Sequence, residues 1–126
     1  MHDMTRKAVR VLAALLALAC AGAEAQSRGC ITSRDGRLVC PPPDGRCLYD
    51  RLGEVVCSTA GGGITLDRFA DPVCGPGHCT ADYLGQVFCS SAPRGAVGID
   101  RYGKVACSVG CVPAKADACI RPKPAD

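Results

Sequence analysis

Cysteine closes every copy of an eleven-residue pattern that occurs five times and fills most of the chain. A unit this short cannot enclose a core of its own, so the repeat restricts the fold to small elements that bury surface by stacking on one another. Numbered 0 to 10, the copies run Cys30 to Cys40 (CITSRDGRLVC), Cys47 to Cys57 (CLYDRLGEVVC), Ile64 to Cys74 (ITLDRFADPVC), Cys79 to Cys89 (CTADYLGQVFC) and Val97 to Cys107 (VGIDRYGKVAC). Position 3 holds Ser33, Asp50, Asp67, Asp82 and Asp100. Position 6 holds Gly36, Gly53, Ala70, Gly85 and Gly103.

Asp or Ser followed three places later by Gly is the chemistry of a type I turn closed by a left-handed residue. The side-chain oxygen accepts from turn N–H groups, and Gly takes positive φ cheaply. Such a turn makes a three-residue hairpin loop with a bulge, here Arg34-Asp35-Gly36, Arg51-Leu52-Gly53, Tyr83-Leu84-Gly85 and Arg101-Tyr102-Gly103. The loop sets the register: position 3 faces 7, 2 faces 8, 1 faces 9 and 0 faces 10. The cysteines of a complete copy then face each other at a non-hydrogen-bonded site, where strands approach most closely and a disulfide fits.

The start of the chain reads as an export signal over residues 1–25. Arg6, Lys7 and Arg10 precede an apolar run, Val11 to Ala19, that is too short to span a bilayer, and Ala23-Glu24-Ala25 suits cleavage. An alternative is lipid anchoring at Cys20 through the loose lipobox Ala17-Leu18-Ala19-Cys20, although alanine stands where leucine is usual. Cleavage after Ala25 lowers the formal charge from +3 to +2, by removing Arg6, Lys7, Arg10, Asp3 and Glu24. So small a charge of mixed sign argues against nucleic acid as a partner. Ten cysteines remain: Cys30, Cys40, Cys47, Cys57, Cys74, Cys79, Cys89, Cys107, Cys111 and Cys119. An even number at this density in an exported chain reads as a disulfide framework. With no Trp, three Tyr and two Phe, covalent staples must supply much of the stability.

The expected fold is therefore small, all-β and disulfide-rich: about five stacked short hairpin repeats over residues 26–111, with little helix outside the signal. A Pro/Lys-rich tail, residues 112–126, would be tied down only if Cys119 is bridged. Spacing favours the pairs 30–40, 47–57, 79–89, 111–119 and 74–107, the last joining the two copies that lack a first cysteine. A rival set pairs across the linkers: 40–47, 74–79 and 107–111. Pro72 and Ala70 predict an irregular or edge hairpin for the third copy. Positive φ is expected at Gly85 and not at Gly62, so valine should harm the former more than the latter.

The turn tips are the first candidate site. Position 4 reads Arg34, Arg51, Arg68, Tyr83, Arg101, and position 5 reads Asp35, Leu52, Phe69, Leu84, Tyr102. Tips are ordinarily polar, so Arg51, Leu52, Arg68, Phe69, Tyr83, Leu84, Arg101 and Tyr102 suggest a ridge of cations and apolar groups able to hold an envelope glycan, a lipid headgroup or a protein. The plainer reading is that each tip packs on its neighbour. Cys74, His78 and Cys79 are a candidate copper or zinc set, opposed by their spacing and by the tendency of exported cysteines to oxidise. The chain has no C-x-x-C, no G-x-S-x-G and only His78 after the signal, which leaves redox and hydrolytic catalysis without parts. The expectation is a non-enzymatic exported module (periplasmic or extracellular) for binding or structure at the bacterial cell envelope. It needs no cofactor and has no membrane span after cleavage; a cysteine-rich metal-binding periplasmic protein is the alternative.

Overall fold

The computed structural model describes residues 29–122, and the export signal with its Cys20 alternative lies outside them. The described residues fold as small β-hairpins. The first pairs β1 (Ile31–Thr32) with β2 (Leu38–Val39), the second β3 (Cys47–Tyr49) with β4 (Val55–Cys57) and the third β5 (Gly63–Leu66) with β6 (Pro72–Gly75). The fourth pairs β7 (Cys79–Ala81) with β8 (Val87–Ser90), and the fifth β9 (Val97–Ile99) with β10 (Val105–Cys107). β11 (Cys111–Pro113) joins the fourth sheet, in the order β11-β8-β7, and a single 3₁₀ turn covers Ala116–Ala118. No helix among the described residues is long and apolar enough to cross a membrane.

The register is the one the turn chemistry dictates: Cys47 faces Cys57, Leu48 faces Val56 and Tyr49 faces Val55, with equivalent pairs in the other copies. In every copy the position-3 N–H donates to the position-7 carbonyl, and the position-6 N–H donates back to the position-3 carbonyl, over 2.7–3.0 Å. Position 6 has positive φ throughout, including Ala70 at 65°.

The hairpins stack with a constant polarity. Ile31 and Val39, at positions 1 and 9 of the first hairpin, meet Cys47, Val55 and Cys57, at positions 0, 8 and 10 of the second. Leu48 and Val56 repeat the arrangement one step on, against Ile64 and Cys74. Among the described residues the buried apolar core is thus valine, isoleucine and cystine, without an aromatic ring. The fifth hairpin carries Gly98 and Ala106 at positions 1 and 9, both exposed. Where inner hairpins present large apolar groups to a neighbour, the terminal one presents almost no side chain, as a capping unit should.

The third copy departs from expectation. It is neither irregular nor at an edge: it sits between the second and fourth hairpins and pairs in register from Leu66↔Pro72 to Gly63↔Gly75. Pro72 falls at position 8, a non-hydrogen-bonded site, so its missing N–H removes no ladder bond. Ala70 accepts the left-handed conformation that Gly takes elsewhere.

The connectivity is mixed. Cys30–Cys40, Cys47–Cys57 and Cys79–Cys89 bridge across their own hairpins, as register requires. The expected pairs 74–107 and 111–119 do not form; the bridges are Cys74–Cys119 and Cys107–Cys111. The fourth hairpin lies between the third and fifth and keeps Cys74 apart from Cys107. Of the rival linker pairs only 107–111 occurs.

Those two bridges turn the C-terminal segment into a strap running back down the stack. Val112 pairs with Cys89 in β8, Lys115 with Cys74 in β6 and Ile120 with Cys57 in β4. The Arg121 guanidinium then donates to Asp50 and Glu54 of the second hairpin, at 3.0 and 3.3 Å. One segment therefore crosses three consecutive hairpins.

Candidate functional site

The four position-3 aspartates are the pivots of the tips. Oδ1 of Asp50 accepts from the N–H groups of Leu52 and Glu54, Asp67 from Phe69 and Asp71, Asp82 from Leu84 and Gln86, and Asp100 from Tyr102 and Lys104, all within 2.8–3.0 Å. They are turn caps. The amides they hold belong to positions 5 and 7, so each tip is rigid at the residues it displays. The hydrogen bond from the Arg121 guanidinium, with the Glu54 and Leu52 amides, draws the Asp50 carboxyl below the ordinary aspartate value.

Successive tips touch through positions 4 and 6. An added Cβ at Gly53 would lie 3.6 Å from the Arg34 side chain, one at Gly85 3.4 Å from Arg68 and one at Gly103 2.8 Å from Tyr83. The Tyr83 N–H also donates to the Gly103 carbonyl at 2.9 Å. Arg51 reaches the third hairpin differently, pairing with Asp71 at 2.8 Å. In the first four hairpins position 4 is accordingly in contact with the next hairpin, while Arg101 of the fifth lies over its own Tyr102.

Position 5 is not. Leu52 is 72 % exposed, Phe69 63 %, Leu84 60 % and Tyr102 67 %, with Tyr83 at 67 % beside them. The guanidinium of Arg68 lies 5.2 Å from the Phe69 ring centre, and that of Arg101 5.0 Å from Tyr102, both at cation–π distance. Shallow clefts separate the tips. Those flanking the second hairpin, of about 410 and 510 Å³, are lined by charges of both signs, including Arg34, Asp35, Glu54, Arg51, Asp71 and Arg121. Those flanking the fourth, each about 350 Å³, add rings and apolar groups to their charges: Asp67, Arg68, Phe69 and Leu84 line one, and Asp82, Tyr83, Leu84, Phe88 and Lys104 the other.

Sequence reasoning passed over two groups here. Lys104 belongs to position 7, which reads Arg37, Glu54, Asp71, Gln86, Lys104; that column is anionic in the second and third hairpins, neutral in the fourth and cationic in the fifth. Arg121 had no signal, since nothing in the tail's composition tells which hairpin it meets. Position 11 was overlooked as well: Ser58 and Ser90 are fully buried after their cysteines, and Ser58 Oγ accepts from the Arg46 amide at 3.0 Å.

The proposed metal set does not assemble as thiolates. Cys74 is bonded to Cys119 and Cys79 to Cys89, which leaves His78 without either sulfur as a ligand. Among the described residues no group of three His, Cys, Asp or Glu side chains is placed to hold a metal ion. No protein-family model, curated protein or solved structure shows significant similarity to the chain.

Proposed function

We propose that the chain is an exported, non-enzymatic binding module of the bacterial cell envelope, acting through the row of hairpin tips. One observation carries the reading: position 5 stays apolar and exposed in four consecutive hairpins, although position 4 already meets the needs of packing. Apolar groups held out on rigid turns are the usual mark of a recognition surface. Five disulfides in so small a β protein fit an oxidising compartment.

Two measurements test this. Intact mass of the native protein, before and after reduction and alkylation, should show removal of residues 1–25, no lipid and five bridges; retention of the leader or unoxidised sulfurs would remove the case for export. Co-sedimentation of the oxidised protein with isolated envelope fractions should fall about tenfold on replacing Leu52, Phe69, Leu84 and Tyr102 together by Ser, as for loss of interface anchors. Equal sedimentation of the wild type and the variant, with both retaining five bridges, would exclude the tips as the binding surface.

A further inference from the structure

We infer that the ligand of this ridge is an acidic polysaccharide and that it lies across the third to fifth tips, not the first two. The inference rests on the binding reading above and narrows it.

The two halves of the ridge differ in what is left to offer. Around the second tip the charges are satisfied internally: Arg51 pairs with Asp71, and Arg121 with Asp50 and Glu54. An anion arriving there must compete with Asp71, Asp50 and Glu54 for those guanidiniums. From the third tip onward the surface carries Phe69, Tyr83 and Tyr102, with Arg68 and Arg101 lying over two of those rings. Lys104 lines the cleft opposite Tyr83, and Leu84 borders both clefts, which makes the patch continuous. Asp67 and Asp82 line these clefts as well, and they and Asp100, like Asp50, each hold two turn amides through Oδ1, so the halves differ in how their cations are paired and in their rings.

Exposed flat rings beside cations suit a chain that alternates apolar C–H faces with carboxylates, which is the surface of a uronic-acid polymer. The rings take the sugar faces, and the guanidiniums of Arg68 and Arg101, 5.2 and 5.0 Å from the ring centres, take the carboxylates in pairs of hydrogen bonds. An acidic polypeptide would match the charge alone. It would leave the exposed rings of Phe69, Tyr83 and Tyr102 without a flat apolar face to meet. The clefts are shallow, as suits a polymer laid across several tips.

The test uses the oxidised full-length secreted protein and three immobilised probes: polygalacturonate, neutral dextran and poly-L-glutamate. Polygalacturonate should bind at least about tenfold more tightly than either of the others, weakening as salt rises. Replacing Phe69, Tyr83 and Tyr102 by Ala, or Arg68, Arg101 and Lys104 by Gln, should each reduce that binding about tenfold, with five bridges retained by mass. Arg34→Gln, on the first tip and outside the position-5 anchors, should leave it unchanged. Equal binding to poly-L-glutamate, or indifference to loss of the rings, would overturn the inference in favour of simple charge attraction. Failure to bind polygalacturonate while envelope binding still depends on the tips would overturn the ligand class and leave the binding function standing; loss of tip dependence as well would remove both.

Discussion

The second and fourth hairpins close themselves; the third and fifth are closed from outside. Cys47–Cys57 and Cys79–Cys89 join positions 0 and 10 of one hairpin, across a sequence separation of 10. In the third and fifth, Ile64 and Val97 occupy position 0, and the lone position-10 cysteines bond to the C-terminal segment instead. A bridge within a hairpin only stiffens a contact that the turn already makes close. Cys74–Cys119 spans 45 residues and joins the strap to the middle of the stack, so it restrains the unfolded chain over nearly half the described length. Two vacant positions in the repeat thus convert a row of local staples into a structure locked across hairpins.

Removing the long bridge should show this most plainly. The chain-entropy relation assigns ~4 kcal/mol to a 45-residue separation and ~2.7 kcal/mol to one of 10. Cys74→Ala with Cys119→Ala should therefore lower the unfolding free energy in guanidinium more than Cys79→Ala with Cys89→Ala, and should speed amide exchange in the strap. An equal or reversed order would remove the distinction between the two kinds of hairpin.

Moving the bridge sharpens the same point. Ile64 already faces Cys74 at the site where the complete hairpins place cystine. Ile64→Cys combined with Cys119→Ala should form a 64–74 bridge, visible by peptide mapping. It should nonetheless leave the protein less stable than wild type by roughly 1.3 kcal/mol, the difference between the two loop terms.

Backbone strain gives a smaller contrast. Gly85→Val places a β-branched residue at φ 82° and should cost roughly 1–3 kcal/mol in denaturant midpoint experiments. Gly62→Val, expected from the sequence to be the milder change, should cost a similar amount for another reason: a Cβ there would lie 2.7 Å from the Gly75 carbonyl oxygen. Ala70→Gly relieves the left-handed strain of the third hairpin and should raise stability by up to about 1 kcal/mol.

The end of the strap provides the smallest effect and a pH signature. Asp50 has its pKa lowered in the folded protein, chiefly by the Arg121 hydrogen bond and then by the Glu54 amide. Its contribution is therefore present above the unfolded aspartate value and is lost as pH falls through the lower folded one. Carboxyl titration by NMR should place Asp50 below an ordinary aspartate, and Arg121→Ala should move it upward; no movement would show that Arg121 does not reach the second hairpin in solution.

Local features were legible because their causes are local. Asp50, Asp67, Asp82 and Asp100 cap turns for a reason contained in five residues, and the facing of Cys47 and Cys57 follows by counting from the turn. The exposed apolar column at position 5 could be read the same way. Asp71 and Arg121 could not, since their partners Arg51 and Asp50 belong to other hairpins and the tips carry many charges that would serve as well. Nor could the tolerance of Pro72 be read from proline alone; it depends on position 8 being a site that makes no ladder bond.

The repeat by itself determined the hairpins, their register, three of the bridges and the row of tips, because turn geometry and strand alternation act over ten residues or fewer. Only the packed structure decided where Cys74, Cys107 and the C-terminal segment go and how the ridge divides into a charge-paired half and an aromatic half. Those outcomes depend on which hairpin stands between which others, and that order in space is set by valine and cystine faces meeting far apart in the chain.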